Sequence, residues 1–454
     1  MTMKRLLAGL GPDRRTVWRW HFFAGLFCLP FIAFLSLTGS IYLFKPQVDA
    51  LIDWRFDHRM AVSAPSPRQD VRAALAAVPG SSFLAYELPR SPQSAARVIV
   101  DHDGEAIRVY VDRNRHTILK TVPEEKRFER LVFRLHGQLL LGNAGSVITE
   151  MVASWTIVLV VTGLWLWWPR DRRHWGGLLY PRLSPGGHAR WRDLHAVTGV
   201  WVSLFLTLFL VSGLPWSFVW GHALQSVEHA VGRLTSVQDW EIGDVPARDT
   251  IAGRPMPMPG KTMDMAGMDM PGMDMPAAIP AEPAQGSPAA LDAVVQAAEA
   301  LALPPPVLIT PPASPDAPWT VRSDTQDRPL RASVKVGADG RLISRETFAR
   351  KGWVDRVVGY GVAAHEGHLF GWANQALNLL VALGLMLMSG AAIVLWLIRR
   401  PAGRFGAPPP LESQRAGVAA IGVLCVLGVL LPELGVSLLL LVLATRLARL
   451  GERG

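Results

Sequence analysis

Four apolar runs, Phe22 to Phe44, Ser146 to Trp168, Ala196 to Trp220 and Ala373 to Ile398, are each long enough to cross a bilayer, which takes roughly 20 residues. In lipid such runs must be helical, because every backbone polar group has to be satisfied within the segment. A histidine opens or precedes each run. His21 is followed by Gly25 and then Thr38-Gly39; His195 is followed at the same spacings by Gly199 and Ser212-Gly213. His136 heads HGQLLLG and His365 heads HEGHLFG. The spans therefore read as an internal duplication with histidines in two matched pairs.

Half of the residues are hydrophobic and 18% are charged, a mix that fits a membrane protein with sizeable soluble parts. Arg170, Arg172, Arg173, Arg182, Arg190 and Arg192 fill one connection, and Arg399, Arg400, Arg404 and Arg415 another. With Lys4, Arg5, Arg14, Arg15 and Arg19, these place the N-terminus and both connections inside. The net charge of +9 follows this topology and does not point to nucleic acid. Absence of a clear cleavage site after the first run predicts an uncleaved anchor.

The expected order is an N-terminal segment with the first span (1–44), an outside module (45–134), the second span (135–170) and an inside loop (171–194). The third span (195–221), a second outside module (222–364), the fourth span (365–400) and an inside loop (401–415) follow. A last apolar block (416–450) contains Pro432-Glu433 and predicts a transmembrane hairpin turning at Pro432. In the first module, PRQDVRAALAAV has helical spacing, and RVIVDHDGEAIRVYVDRNRHTILKTV alternates around an Asp-Gly turn. In the second, ALDAVVQAAEAL and LRASVKVGADGRLISRETF repeat the scheme. The expected fold is a membrane α-helical bundle of four core helices plus the hairpin, with two α+β modules outside.

An insertion at 255–276 interrupts the second module. Met256, Met258, Met263, Met265, Met268, Met270, Met273 and Met275 are eight of the fourteen methionines. Thioethers select Cu(I), so copper binding stands against a plain low-complexity linker.

By orientation, His21 and His195 lie near the inner leaflet, and His136 and His365 near the outer face. Two imidazoles at one depth on different helices can close a six-coordinate iron, so the pattern points to two haem sites. The plainer reading is four interfacial histidines with solvated tips. His368, three residues after His365, is a rival ligand or a supporting group, and Arg134 a candidate partner for a haem propionate. The only cysteines, Cys28 and Cys425, lie in apolar runs without a C-x-x-C-H motif, so any haem is non-covalent, of the b type.

The strings RWHFFAGLF, LHGQLLLG, WRDLHAVTGVW, SGLPWSFVWG and HEGHLFG, between Trp18 and Arg400, resemble the PepSY-associated transmembrane family of iron-regulated inner-membrane proteins. The resemblance implies two PepSY-like periplasmic modules and, in some members, a di-haem reductase acting on ferric siderophores. Carried over, His21, His195, His136 and His365 form the ligand set. The Met-rich insertion departs from that pattern and leaves Cu(II) open as a substrate.

The resulting expectation is a transmembrane metalloreductase of the bacterial inner membrane. It would contact lipid, take electrons from a quinol or a separate reductase, and reduce a ferric siderophore or related chelate. No Walker motif, G-x-G-x-x-G turn or nucleophile–base constellation is present. The rivals are a non-redox PepSY scaffold or sensor, and a copper-binding or transport protein.

Overall fold

The computed structural model describes residues 12–62, 65–169, 175–183, 186–230, 242, 244–253, 288–314, 317–401, 403, 406–407 and 417–451. Helix α1, Arg14–Leu43, is the first span. Helices α2, Lys45–Ile52, and α3, Trp54–Asp57, lead from it to the soluble part. There α4, Pro67–Ala77, precedes strands β1 (Ser82–Glu87), β2 (Ala96–His102), β3 (Glu105–Val111) and β4 (Ile118–Pro123). Helix α5, Phe128–Gln138, returns to the bundle and α6, Gly142–Trp167, is the second span. Helix α7, His188–Gly213, continues through a 3-10 turn at Leu214–Trp216 as the third span. Helices α8 (Phe218–Ala230), α9 (Ala247–Ala252) and α10 (Pro288–Ala300) come next. Strands β5 (Val307–Thr310), β6 (Trp319–Ser323), β7 (Ala332–Val336) and β8 (Leu342–Thr347) complete the soluble part. Helix α11, Trp353–His365, leads to α12, Trp372–Arg399, the fourth span. Helices α13, Val418–Leu430, and α14, Pro432–Gly451, form the expected hairpin.

The two expected modules are one body. Their strands make a single antiparallel sheet in the order β4-β3-β2-β1-β5-β6-β7-β8. The seam is β1 against β5, with Tyr86 opposite Ile309 and Glu87 opposite Leu308. Helices α4 and α10 pack side by side over one face, above Val98, Val100, Val109, Ile309, Val321 and Val334. Each half alone would leave a hydrophobic edge unpaired at β1 or β5, and joining them removes both edges.

The other face carries buried charge. Arg97 binds Asp57 at 2.8 Å and Asp53 at 3.2 Å, both at the foot of α1. Arg108 binds Glu87 and Glu124. Arg127, at the start of α5, binds Glu124 at 3.2 Å and Glu129 at 2.6 Å. Burial alone would raise the Glu87 carboxyl; Arg108 and Arg97 outweigh it and hold it at about 2. This network ties the first span, the sheet and α5 into one rigid joint. Removing one member of such a buried set costs about 3–5 kcal/mol.

In the bundle, α1 packs against α6 and α12, and α7 packs against the same two. So α1 and α7 face each other across one diagonal. Leu204, Val211, Leu380 and Leu383 point outward, whereas Ser36, Thr38, Ser154, Thr156, Thr162 and Ser389 are buried between helices. Small and hydroxylic residues inside with leucines outside is the arrangement lipid favours. The hairpin turns at Leu431–Pro432, with Gly428 against Gly435. It packs on α6, where Trp155 Nε1 donates to Ser437 Oγ at 3.0 Å. Glu150, buried in α6, accepts the Val219 and Trp220 N–H groups at the start of α8.

Two expected spans are shorter than expected, because His136 and His365 sit on separate helices before them. After Gln138 the chain takes left-handed conformations at Leu139 (φ 52°) and Leu140 (φ 58°). A Cβ on Gly145 would lie 1.6 Å from the Gln138 carbonyl oxygen, so only glycine lets α5 fold down onto α6. Between α11 and α12, the buried amides of Asn374 and Asn378 donate to the Ala364 carbonyl, and Asn378 also to that of His365. These bonds cap the end of α11.

Candidate functional site: two histidine pairs

The structure brings the four histidines together in two pairs. The ring centres of His21 and His195 are 6.3 Å apart, with planes at 80°. Those of His136 and His365 are 6.4 Å apart, with planes at 82°. A nitrogen–metal bond of about 2 Å on each side, plus roughly 1 Å from nitrogen to ring centre, puts the rings of a metal-bridging pair roughly 6 Å apart. Both pairs have that separation. One pair lies at the sheet end of the bundle and the other at the far end. His21 and Thr38, the α1 residue that meets His136, are about 25 Å apart along the helix at 1.5 Å per residue.

The other ring nitrogen of each histidine is held. Thr162 Oγ1 lies 3.0 Å from His21 Nδ1 and donates its own proton to the Val158 carbonyl. Thr38 Oγ1 lies 3.1 Å from His136 Nδ1 and donates to the Phe34 carbonyl. Ser212 Oγ lies 3.1 Å from His365 Nδ1 and donates to the Phe209 carbonyl. His195 Nδ1 meets the Met388 carbonyl oxygen at 3.1 Å. Each partner has only acceptor capacity left for the ring. The Met388 carbonyl can only accept, so His195 carries its proton on Nδ1; with the hydroxyl protons given to those carbonyls the other three rings take the same tautomer, which leaves each Nε2 lone pair for a ligand bond.

Glycines make the approach possible. A Cβ on Gly39 would lie 3.1 Å from the His136 ring, one on Gly163 3.2 Å from His21, and one on Gly213 3.7 Å from His365. Thr38-Gly39 and Ser212-Gly213 were singled out from sequence; Thr162-Gly163 was not. The signal was present: a hydroxyl residue followed by glycine occurs in all four spans, as TG in α1 and α6 and as SG in α7 and α12. In α12 the pair is Ser389-Gly390, and the histidine contact falls one residue earlier, on the Met388 carbonyl.

Of His365 and His368, it is the His365 ring that faces His136. His368 Nε2 is buried and has no hydrogen-bond partner among the described residues. Burial, with Lys45 adding to it, lowers the His368 imidazole. Burial raises the neighbouring Glu366 carboxyl against the opposing pull of Arg328, Arg331 and Lys45. Arg134 lies 3.5 Å from Glu125 and 4.0 Å from Asp244. The Met-rich stretch from Met256 to Met275 lies outside the described residues.

Among the described residues no three His, Cys, Asp or Glu side chains converge as a metal site. Each pair thus offers two ligands on opposite sides of a gap, across the α1–α7 diagonal in one case and between α5 and α11 in the other. Two opposed imidazoles suit an iron whose remaining ligands come from a planar macrocycle. The residues present fit haem on this ground.

No curated protein matches the sequence. A family model described as the PepSY-associated TM region matches residues 18–399. With four membrane-length helices and an α+β sheet built on the matched segment, this membrane protein belongs to the PepSY-associated transmembrane family.

Proposed function

We propose that the protein is a transmembrane metalloreductase that carries electrons across the bacterial inner membrane to a ferric chelate outside, with Cu(II) as a second candidate substrate. The observation that carries this reading is the two histidine pairs, at opposite ends of one bundle and each at metal-bridging separation. His21 with His195, and His136 with His365, would each hold one non-covalent haem b. Haem supplies one-electron transfer at a potential set by its ligands and their surroundings.

The chain's own work is positioning. Thr162, Thr38, Ser212 and the Met388 carbonyl keep the proton on Nδ1 and orient each ring. Gly39 and Gly163 leave room beside the rings. The sheet sits at the His136/His365 end and would present the chelate there. In the expected orientation that end is periplasmic, and the His21/His195 end meets the cytoplasmic donor side. A ferric siderophore held by hard oxygen ligands loosens on reduction to Fe(II), which would release its iron. A quinol or a separate reductase would supply the electrons.

The test is the purified protein's spectrum, oxidised and dithionite-reduced, with haem counted per chain. Sharp low-spin bands and two haems are expected. A protein that takes up no haem, even on reconstitution, refutes the proposal. A non-redox scaffold or a copper-binding protein would then account for the chain.

A further inference from the structure

At the end of the bundle away from the sheet, α7 and α12 bring cations together around one histidine. His188, Arg192 and His195 stand at i, i+4 and i+7 on α7 and so share one face. His188 lies about 10 Å beyond His195 along the helix, at the very end of the span. Arg399, the last residue of α12, donates from Nε to His188 Nε2 at 2.7 Å. Its guanidinium also lies over the Trp18 ring of α1, 5.4 Å from the ring centre. The charge of Arg192 bears on both His188 and Arg399. Arg182, from the connection before α7, joins Arg192 on Asp193.

These cations outnumber their acceptors. Asp193 is fully buried and accepts Nε and Nη2 of Arg182 at 2.6 and 3.2 Å and its backbone N–H at 3.3 Å. It also accepts Nε and Nη2 of Arg192 at 3.1 and 2.6 Å. A carboxylate has about four lone-pair sites, so these five donors leave nothing for Arg399. Among the described residues Arg399 forms no salt bridge, and its hydrogen bond goes to an uncharged nitrogen. An arginine can only donate, so His188 accepts at Nε2 and keeps its proton on Nδ1 as a further donor. The cluster thus sets three guanidinium groups against one carboxylate. The Arg182 and Arg192 side chains are 44% and 50% exposed, so part of each fork stays open to an incoming oxyanion.

We propose that Arg399, His188 and Arg192 form a site for the phosphate of an anionic phospholipid. The place fits that ligand, because headgroups lie where spans end and basic pockets between helices hold their phosphates. A guanidinium fork suits phosphate oxygens. A lipid held there bridges α7 and α12 at the end where His195 meets the Met388 carbonyl. The inference does not depend on the haem reading.

The test is a native mass-spectrometric titration of the full-length protein in neutral detergent with phosphatidylglycerol, reading lipid bound per chain. Parent, Arg399→Gln and Arg400→Gln are compared. Both arginines are exposed, and glutamine is a good helix former, so both variants should fold. Arg400 carries the same charge one residue on but lies over the Trp396 ring at 5.2 Å, so it reports surface charge alone. The parent should take up one lipid ahead of any others. Arg399→Gln should bind it about tenfold more weakly, about 1.4 kcal/mol. Arg400→Gln should stay within about twofold of the parent. Phosphatidylethanolamine, whose ammonium meets the same cations, should bind more weakly than phosphatidylglycerol.

Equal losses in the two variants reduce the effect to surface charge and overturn the site. Equal affinity for phosphatidylethanolamine does the same. Parental binding in Arg399→Gln also overturns it, and is the result expected if the cluster instead holds a propionate of a group bound at His195. Displacement of the lipid by inorganic phosphate at matching concentration assigns the cations to free phosphate and refutes the proposal.

Discussion

Replacing Thr38 with valine keeps the side chain's shape and deletes one acceptor. In the structure Thr38 Oγ1 is 3.1 Å from His136 Nδ1, and its own proton goes to the Phe34 carbonyl at 3.0 Å. The change therefore frees the His136 ring to rotate and to place its proton on Nε2, where it would block ligation. Losing the outer partner of a ligating histidine costs about 10–100-fold in affinity. The Leu35 carbonyl also accepts from His136 and offers a partial substitute. That puts the expected loss near the low end, about tenfold, or about 1.4 kcal/mol.

The assay is titration of haem into apo-protein, reading two binding steps. Thr38→Val should weaken one step about tenfold and leave the step at His21/His195 unchanged, because that pair leans on Thr162 and Met388. Thr38→Ser should restore the weakened step. If Thr38→Val binds both haems with parental affinity and parental spectra, the proposed proton placement is wrong.

Three further changes test other parts of the argument. Gly163→Val pushes a branched side chain into the His21 ring, which a Cβ alone would meet at 3.2 Å; haem content should drop from two per chain to one, with only the sheet-distal signal lost. Gly145→Ala sets a Cβ 1.6 Å from the Gln138 carbonyl oxygen; thermal unfolding should show a loss of about 2–3 kcal/mol, with the His136 site lost. Asp70 is fully buried, and burial raises its carboxyl to about 6 even though His116 binds it at 2.8 Å. The folded state then holds the proton more tightly than the unfolded one. Stability should be greatest below about pH 4, fall as pH rises to about 6, and level off above, by about 2–3 kcal/mol in all. Asp70→Asn should flatten that dependence in a melting series across this range.

The spans and the four histidines were legible because lipid imposes a simple rule on sequence, and because the duplication repeats each histidine in register. The helix breaks before α6 and α12 were harder to read. Gly142 and Gly145 mark where the first of them can fall, but nothing in LLLG shows that Leu139 and Leu140 turn left-handed, since what holds them there is α5 folding onto Gly145. The merging of two modules into one sheet was hidden for a related reason. The seam needs only Tyr86 and Glu87 of β1 against Ile309 and Leu308 of β5, and strand pairing over such a sequence distance leaves no local signal. Charged residues in β1 to β3 were also opaque. Arg97, Arg108 and Glu87 look like solvated positions until Asp53 and Glu124 arrive from neighbouring elements.

The duplication divides the work at each site in a way that can itself be tested. Every Nδ1 contact stays within one copy: His21 with Thr162, His136 with Thr38, His195 with Met388 and His365 with Ser212. Every ring pairing crosses between copies: His21 with His195, and His136 with His365. Each copy thus presets two imidazoles and cannot complete either site. Cutting the chain in the connection between Trp167 and His188 separates the copies without touching a ligand. Each half expressed alone should bind no haem with a bis-histidine spectrum, since it presents one imidazole per end. Co-expressed, the halves should recover two haems, drawn together by the α1–α12 and α6–α7 contacts and by the β1–β5 seam. A single half that yields a low-spin bis-histidine spectrum as a monomer would mean that the pairs form within a copy, and the crossed arrangement would have to be given up.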